Sequence, residues 1–182
     1  MGLCISTATL TLTSCGNTSD EYSSSACFLR IDNSVHQSSV LATALQYPGS
    51  FVTVTMTTKN GARYYHVVSN QGQTDDIQLN ALDQRYDYIL GYNGALIVGY
   101  GNSLDGSFYA YDRECPNCFD PDALPIRSYP ISVDENGFGT CSNCQRTYNL
   151  NNQGLVSTGD AGNSLTRYPA STTGPWGILI VQ

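Results

Sequence analysis

An all-β fold is what the sequence predicts, on three observations. Turn-forming residues recur about every eight to twelve positions past residue 26, the rhythm of short strands. The runs between them are rich in β-branched and aromatic residues, which suit a pleated, half-buried surface. An Asn-Gly step joins two such runs at hairpin distance, the strongest short-range hairpin signal. Composition agrees, with only 13% charged residues but 17 Gly and 13 Tyr among 182 residues.

The expected elements follow in chain order. "CFLRI" (27–31) reads as a first strand, and "SVLATALQ" (39–46) as one short helix stopped by Pro48-Gly49. "FVTVTMT" (51–57) and "ARYYHVV" (62–68) flank the turn "KNG" (59–61) and form the hairpin. "YDYIL" (86–90), "ALIVGY" (95–100) and "SFYAY" (107–111) continue the strand pattern, separated by "GYNG" and "GNSLDG". "LTRYP" (165–169) and "WGILIVQ" (176–182) close it. No internal repeat interrupts this order, and a chain of this length suits one domain.

Charge narrows the function classes. Eight Lys and Arg stand against 15 acids, a net charge of −7. No basic surface is available to neutralise phosphates, which argues against a nucleic-acid partner and against electrostatic attachment to an anionic membrane.

The first residues differ in kind. Residues 1–14 carry no charge and are too few to span a bilayer, but they match the apolar part of an export signal. "LTSCG" (12–16) resembles the lipobox of bacterial lipoproteins, in which the cysteine, here Cys15, is lipidated and becomes the mature N-terminus. The resemblance implies an export signal over 1–14, a lipidated flexible tether over 15–26 containing the polar "SDEYSSS", and a domain over 27–182. It also implies a location in the bacterial periplasm or at the cell surface, with the membrane held through the lipid anchor.

The chemistry concentrates between residues 112 and 150. Cys115 and Cys118 form one Cys-x-x-Cys pair, and Cys141 and Cys144 form a second. Residues 119–140 lie between them, slightly more than is usual in tetrathiolate zinc sites. A Cys-x-x-Cys turn aims two sulfurs at one point, and two such turns facing each other make a tetrahedral set. Four thiolates suit zinc, a single iron or a 2Fe–2S cluster. Pro116 stiffens the first turn, and Gly137 and Gly139 deliver the second from a short strand. Arg113 and Arg146 flank the turns and are placed to offset thiolate charge. The acids of "YDRE" and "FDPD" beside the first turn are expected as solvated loop charges.

"YDRECPNC" followed by "GTCSNCQRTYNLNNQGLVSTGDAGNSLTRYP" resembles the two boxes of a Rieske domain. Cys115 and Cys141 fall on that family's two cysteine ligands. Tyr148, Leu150, Gly154, Leu155, Gly159, Ala161, Leu165, Tyr168 and Pro169 follow its framework. The resemblance spans roughly residues 87–182 and implies an antiparallel β-sandwich with an inserted, zinc-ribbon-like metal lobe over about 112–160. It departs from the family where the redox chemistry lives. Asn117 and Cys144 occupy the two ligand-histidine positions, Cys118 offers the fourth ligand one residue on, and Arg146 replaces the serine that donates toward the cluster. The loop near 159–162 also lacks the family's proline. A histidine-ligated, high-potential centre therefore does not carry over.

Three fates of the thiols remain. Zinc leads, as one structural ion on Cys115, Cys118, Cys141 and Cys144. A 2Fe–2S cluster serving electron transfer is the alternative. Such clusters are assembled in the cytoplasm, so folded export would need a twin-arginine signal, and residues 1–14 contain none. Disulfides in an oxidising compartment, within a surface binding module, are the third. No enzyme activity is expected: His36 and His66 lie far apart in sequence, and no Gly-x-Ser-x-Gly turn places a nucleophile. Cys27 reads as a buried small hydrophobe. The sequence names no protein or redox partner.

Overall fold

A computed structural model describes residues 21–104 and 106–182. The export segment, Cys4, Cys15 and the first part of the tether lie outside the described residues. The fold is all-β, with twelve strands in three antiparallel sheets and one short α-helix among the described residues.

The largest sheet has the order β4-β3-β2-β5-β6, from β2 (Phe51–Lys59), β3 (Ala62–Ser69), β4 (Thr74–Gln78), β5 (Ala95–Tyr100) and β6 (Phe108–Asp112). Its hairpin forms as the sequence predicts. Asn60 and Gly61 take positive φ (51° and 79°), and Lys59 pairs with Ala62 across the two-residue turn. That backbone twist matches the twist of the flanking strands. The alternation of β2 then sends Val52 and Val54 to one face and Phe51 and Thr53 to the other.

On the first face lies a smaller sheet, β1-β12-β11, from β1 (Leu29–Asp32), β11 (Ala170–Thr172) and β12 (Ile178–Val181). Leu29, Ile31, Leu179 and Val181 meet Val52, Val54, Tyr65, Val67, Leu96 and Val98 in one buried core, together with Cys27. The helix α1 (Val40–Ala44) seals its edge with Leu41 and Ala44. Ser39 caps it, its side chain accepting from the Ala42 N–H at 3.1 Å.

The second face is partly covered by the third sheet, β10-β9-β8-β7, from β7 (Ile131–Val133), β8 (Phe138–Cys141), β9 (Thr147–Asn149) and β10 (Leu155–Thr158). Phe51, Ile97, Tyr109 and Tyr111 pack there against Ile131, Tyr148, Leu150 and Leu165, with Cys115 and Cys141 in the same core. Gly139 permits the close packing: a Cβ there would lie 2.5 Å from Ile131 Cγ2.

Two expected strands are not strands. "YDYIL" makes a single bridge, Ile89 with Phe28, because Tyr86 and Tyr88 turn into an aromatic cluster with Phe28 and Tyr65. "LTRYP" makes one bridge, Arg167 with Tyr111, and runs along the outer edge of β6 through Asp112 N to Thr166 O (2.9 Å) and Tyr168 N to Ala110 O (3.0 Å). It shields that edge from further pairing. The end of the expected tether is docked by polar contacts, mainly to one arginine, rather than by apolar packing. Ser23 N donates to Arg167 O at 2.8 Å, and the Arg167 guanidinium meets Glu21 at 3.0 Å and the Tyr22 ring at 5.1 Å. No helix among the described residues is long and apolar enough to cross a membrane.

Candidate metal centre

The first cysteine turn follows β6 directly. Cys118 N and Phe119 N both donate to Cys115 O (3.1 and 2.8 Å), which closes the turn and brings both sulfurs to one side. Two of the four acids beside it, Asp112 and Glu114, are not solvated. Asp112 is fully buried: Oδ2 accepts from Tyr92 N (2.7 Å) and Tyr168 OH (2.9 Å), and Oδ1 from Glu114 N (2.8 Å). Glu114, 5% exposed, accepts from Asn93 Nδ2, Ser128 Oγ and Tyr129 N, tying both ends of the loop that follows. A buried carboxylate is tolerable only when donors surround it, as they do here. Asp120 and Asp122 are exposed, as expected.

The second turn grows from β8. Gln145 N donates to Cys141 O (2.9 Å) and Cys141 N to Arg146 O (3.0 Å), with Gln145 at φ 59° turning the chain back into β9. The two turns meet sulfur to sulfur. Cys115 Sγ lies 3.7 Å from Cys144 Sγ, and Cys141 Sγ 3.8 Å from Cys118 Sγ. All four sulfurs fall within 4.8 Å of one another. Bonds of 2.3 Å to one tetrahedral ion set neighbouring thiolates about 3.8 Å apart, so the donor set fits a single metal ion. Cys115 and Cys141 are buried, whereas Cys118 and Cys144 are half-buried. No disulfide links any described cysteine, so the disulfide alternative is not what the structure holds.

The surroundings act on the sulfurs selectively. Asn117 Nδ2 donates to Tyr148 OH (2.9 Å), which leaves the phenol proton directed at Cys115 Sγ, 3.1 Å away. Asn143 Nδ2 donates to Cys118 Sγ at 3.3 Å. Burial pushes the Cys115 thiol up, against the Tyr148 hydroxyl and the Asn117 N–H, and raises Cys118 as well. At Cys144 burial also opposes ionisation, but hydrogen bonds from the Arg146 N–H and guanidinium and from the Cys118 and Cys115 thiols together outweigh it and bring the thiol down to about 6. Arg146 is itself held by Asp160 O (3.0 Å) and Ala161 O (3.3 Å).

The sequence reading and the geometry can now be compared residue by residue. The four cysteines expected to converge do so, and no other group of three or more His, Cys, Asp or Glu among the described residues gathers in this way. The chain matches no known protein family and no curated protein. Arg146 stands beside a thiol as expected; Arg113 lines a cleft elsewhere. Asn117 orients Tyr148 and, through Oδ1, accepts from Asn163 N at 2.9 Å. His66 Nδ1 sits 2.9 Å from Asp76 Oδ1, remote from the thiols in sheet position. Cys27 is a buried core residue, and burial raises its thiol to about 11. The roles of Tyr148 and Asn143 as donors to sulfur escaped the sequence reading, where Tyr148 was only a framework position and Asn143 an ordinary loop polar residue.

Proposed function

We propose that the protein is a lipid-anchored, extracytoplasmic Rieske-like domain whose four cysteines hold one structural zinc ion. The observation that carries this is the mutual approach of Cys115, Cys118, Cys141 and Cys144 within 4.8 Å. A 2Fe–2S cluster interposes a second iron and holds its two thiolate pairs farther apart, so the spacing favours a single ion. Supporting the Rieske-like reading, two packed sheets form a base, and the cysteine-bearing sheet is inserted between β6 and β11. The uncharged residues 1–14 and the "LTSCG" motif support the anchor at Cys15.

In this reading the metal is part of folding. Strands β7–β10 are three or four residues each, at the short end of the usual range; the first turn follows β6 of the large sheet and the second joins β8 to β9. Zinc on comparable peptides contributes about 10–16 kcal/mol at neutral pH, which is folding free energy for such a lobe. The centre is structural and the proposal includes no catalytic step.

Metal analysis of protein purified without oxygen tests it. The expected result is colourless protein with close to one zinc per chain. Removal by chelator should speed amide exchange in β7–β10 and spare β2, β3 and β5. Visible absorption that bleaches on reduction would transfer the site to the 2Fe–2S alternative. Replacing Tyr148 with Phe keeps the ring but removes the hydrogen bond to Cys115. It should weaken metal retention in chelator competition by about tenfold, the lower range for outer-shell partners.

A further inference from the structure

The second face of the large sheet is only partly roofed. Beyond the part sealed by the lobe, Thr53, Thr55, His66 and Val68 are half-buried and form one wall of a cleft of about 340 Å³. The other wall is β7, the outer strand of its sheet. This is the lower end of ligand-pocket sizes, roughly 300–1,000 Å³.

Arg113 lines the cleft, and its Nε is buried with no hydrogen-bond partner among the described residues. No other Lys or Arg nitrogen among the described residues is buried without a partner, although Asn33 and His36 also hold buried polar atoms without one. Arg30, Lys59 and Arg167 each pair with a carboxylate. In a protein of net charge −7, no acid lines the cleft around Arg113. The guanidinium charge therefore has no counter-ion among the cleft residues, and because Nε is closed to solvent it is the terminal nitrogens that a ligand would meet. A second donor faces the same space. Ile131 N donates outward to Arg113 O (2.7 Å), so ladder alternation turns Val133 N–H to that side as well.

We propose that this cleft binds a small carboxylate-bearing molecule, with its carboxylate on Arg113 and its apolar body against Val68 and Val133. The guanidinium fork matches a planar carboxylate in two parallel bonds. One cation balances one negative charge, whereas a phosphate dianion would remain half-unpaired. The side chains of Val68 and Val133 in an otherwise mixed lining favour a ligand with some hydrocarbon beside its charge. The inference stands independently of which metal the cysteines hold.

Titration of metal-replete protein with acetate, butyrate and N-acetyl-L-leucine, followed by amide shifts and calorimetry, tests it. Saturable shifts at Val133, Thr53 and the Arg113 side chain are expected, strongest for N-acetyl-L-leucine. The neutral N-acetyl-L-leucinamide and the Arg113→Gln variant should each bind at least about tenfold more weakly, the usual scale for a lost charge-assisted pair. Metal content shows whether Arg113→Gln keeps its lobe. Val68→Trp, which fills the cleft without altering Arg113, should abolish binding in any case. The proposal falls if none of the three carboxylates shifts cleft residues, if the amide binds as well, or if Val68→Trp leaves binding intact. Binding of inorganic phosphate that depends on Arg113, in place of the carboxylates, would overturn the ligand class.

Discussion

In the proposed four-cysteine centre, replacing Cys141 with Ser should abolish metal binding and release the small sheet from the base. Cys141 ends β8, is 1% exposed, and pairs with Ile131 across the ladder. Its sulfur is 3.8 Å from that of Cys118, so its loss opens the tetrahedral set at a buried corner. A serine hydroxyl is a poor ligand for zinc and, in this apolar core, a polar group without a clear partner. Loss of one ligand should reduce retention by more than about 100-fold, beyond what outer-shell changes do. Metal content and amide exchange in β7–β10 are the readouts. Cys27→Ser provides the control, since Cys27 is also buried but belongs to the other core. Wild-type metal content in the Cys141 variant would refute its assignment as a ligand.

The second large effect is expected from Asp112→Ala. The carboxylate accepts from Tyr168 OH and Glu114 N, both buried, and from Tyr92 N, which is part-buried. Alanine leaves two buried donors and one part-buried donor without an acceptor, which should cost about 3–5 kcal/mol of stability. Urea unfolding at neutral pH measures it, and a loss below about 1 kcal/mol would show that water replaces the carboxylate readily. The pH dependence has a defined sign. Burial raises the Asp112 carboxyl, against the hydrogen bonds from Glu114, Tyr92 and Tyr168. The folded state therefore binds the proton more tightly than the unfolded one. Its contribution to stability is full below the unfolded value and falls as pH rises through the raised folded value. Asp112→Asn should remove that fall.

Long, patterned elements were legible in the sequence, and short or polar ones were not. The β2–β3 hairpin announced itself through Asn60-Gly61 and β-branched flanks, and β5 through an unbroken apolar run. The strand β4, "TDDIQ", gave no such signal because its two acids are engaged individually. Asp75 accepts from Val40 N at 3.2 Å, and Asp76 binds Lys59 and His66. Strands β7–β10 are too short for alternation to register, so only their cysteines and glycines marked the lobe. "YDYIL" looked like a strand because tyrosines favour sheets, yet its rings cluster across the chain instead of along a ladder. At the centre, the four sulfurs were readable from spacing alone. The burial of Asp112 and Glu114 was not, because it depends on backbone donors supplied by Tyr92 and Tyr129, distant in sequence.

Four consecutive residues leave the end of β6 toward four different neighbours. Asp112 meets the Tyr168 hydroxyl, Arg113 the cleft, Glu114 the returning loop at Ser128, and Cys115 the other thiols. Such a segment can accept exchanges of side chain one neighbour at a time. A change of length by a single residue would misdirect all four at once, so over evolutionary time insertions and deletions should collect in the exposed loop 120–127 and spare 112–115.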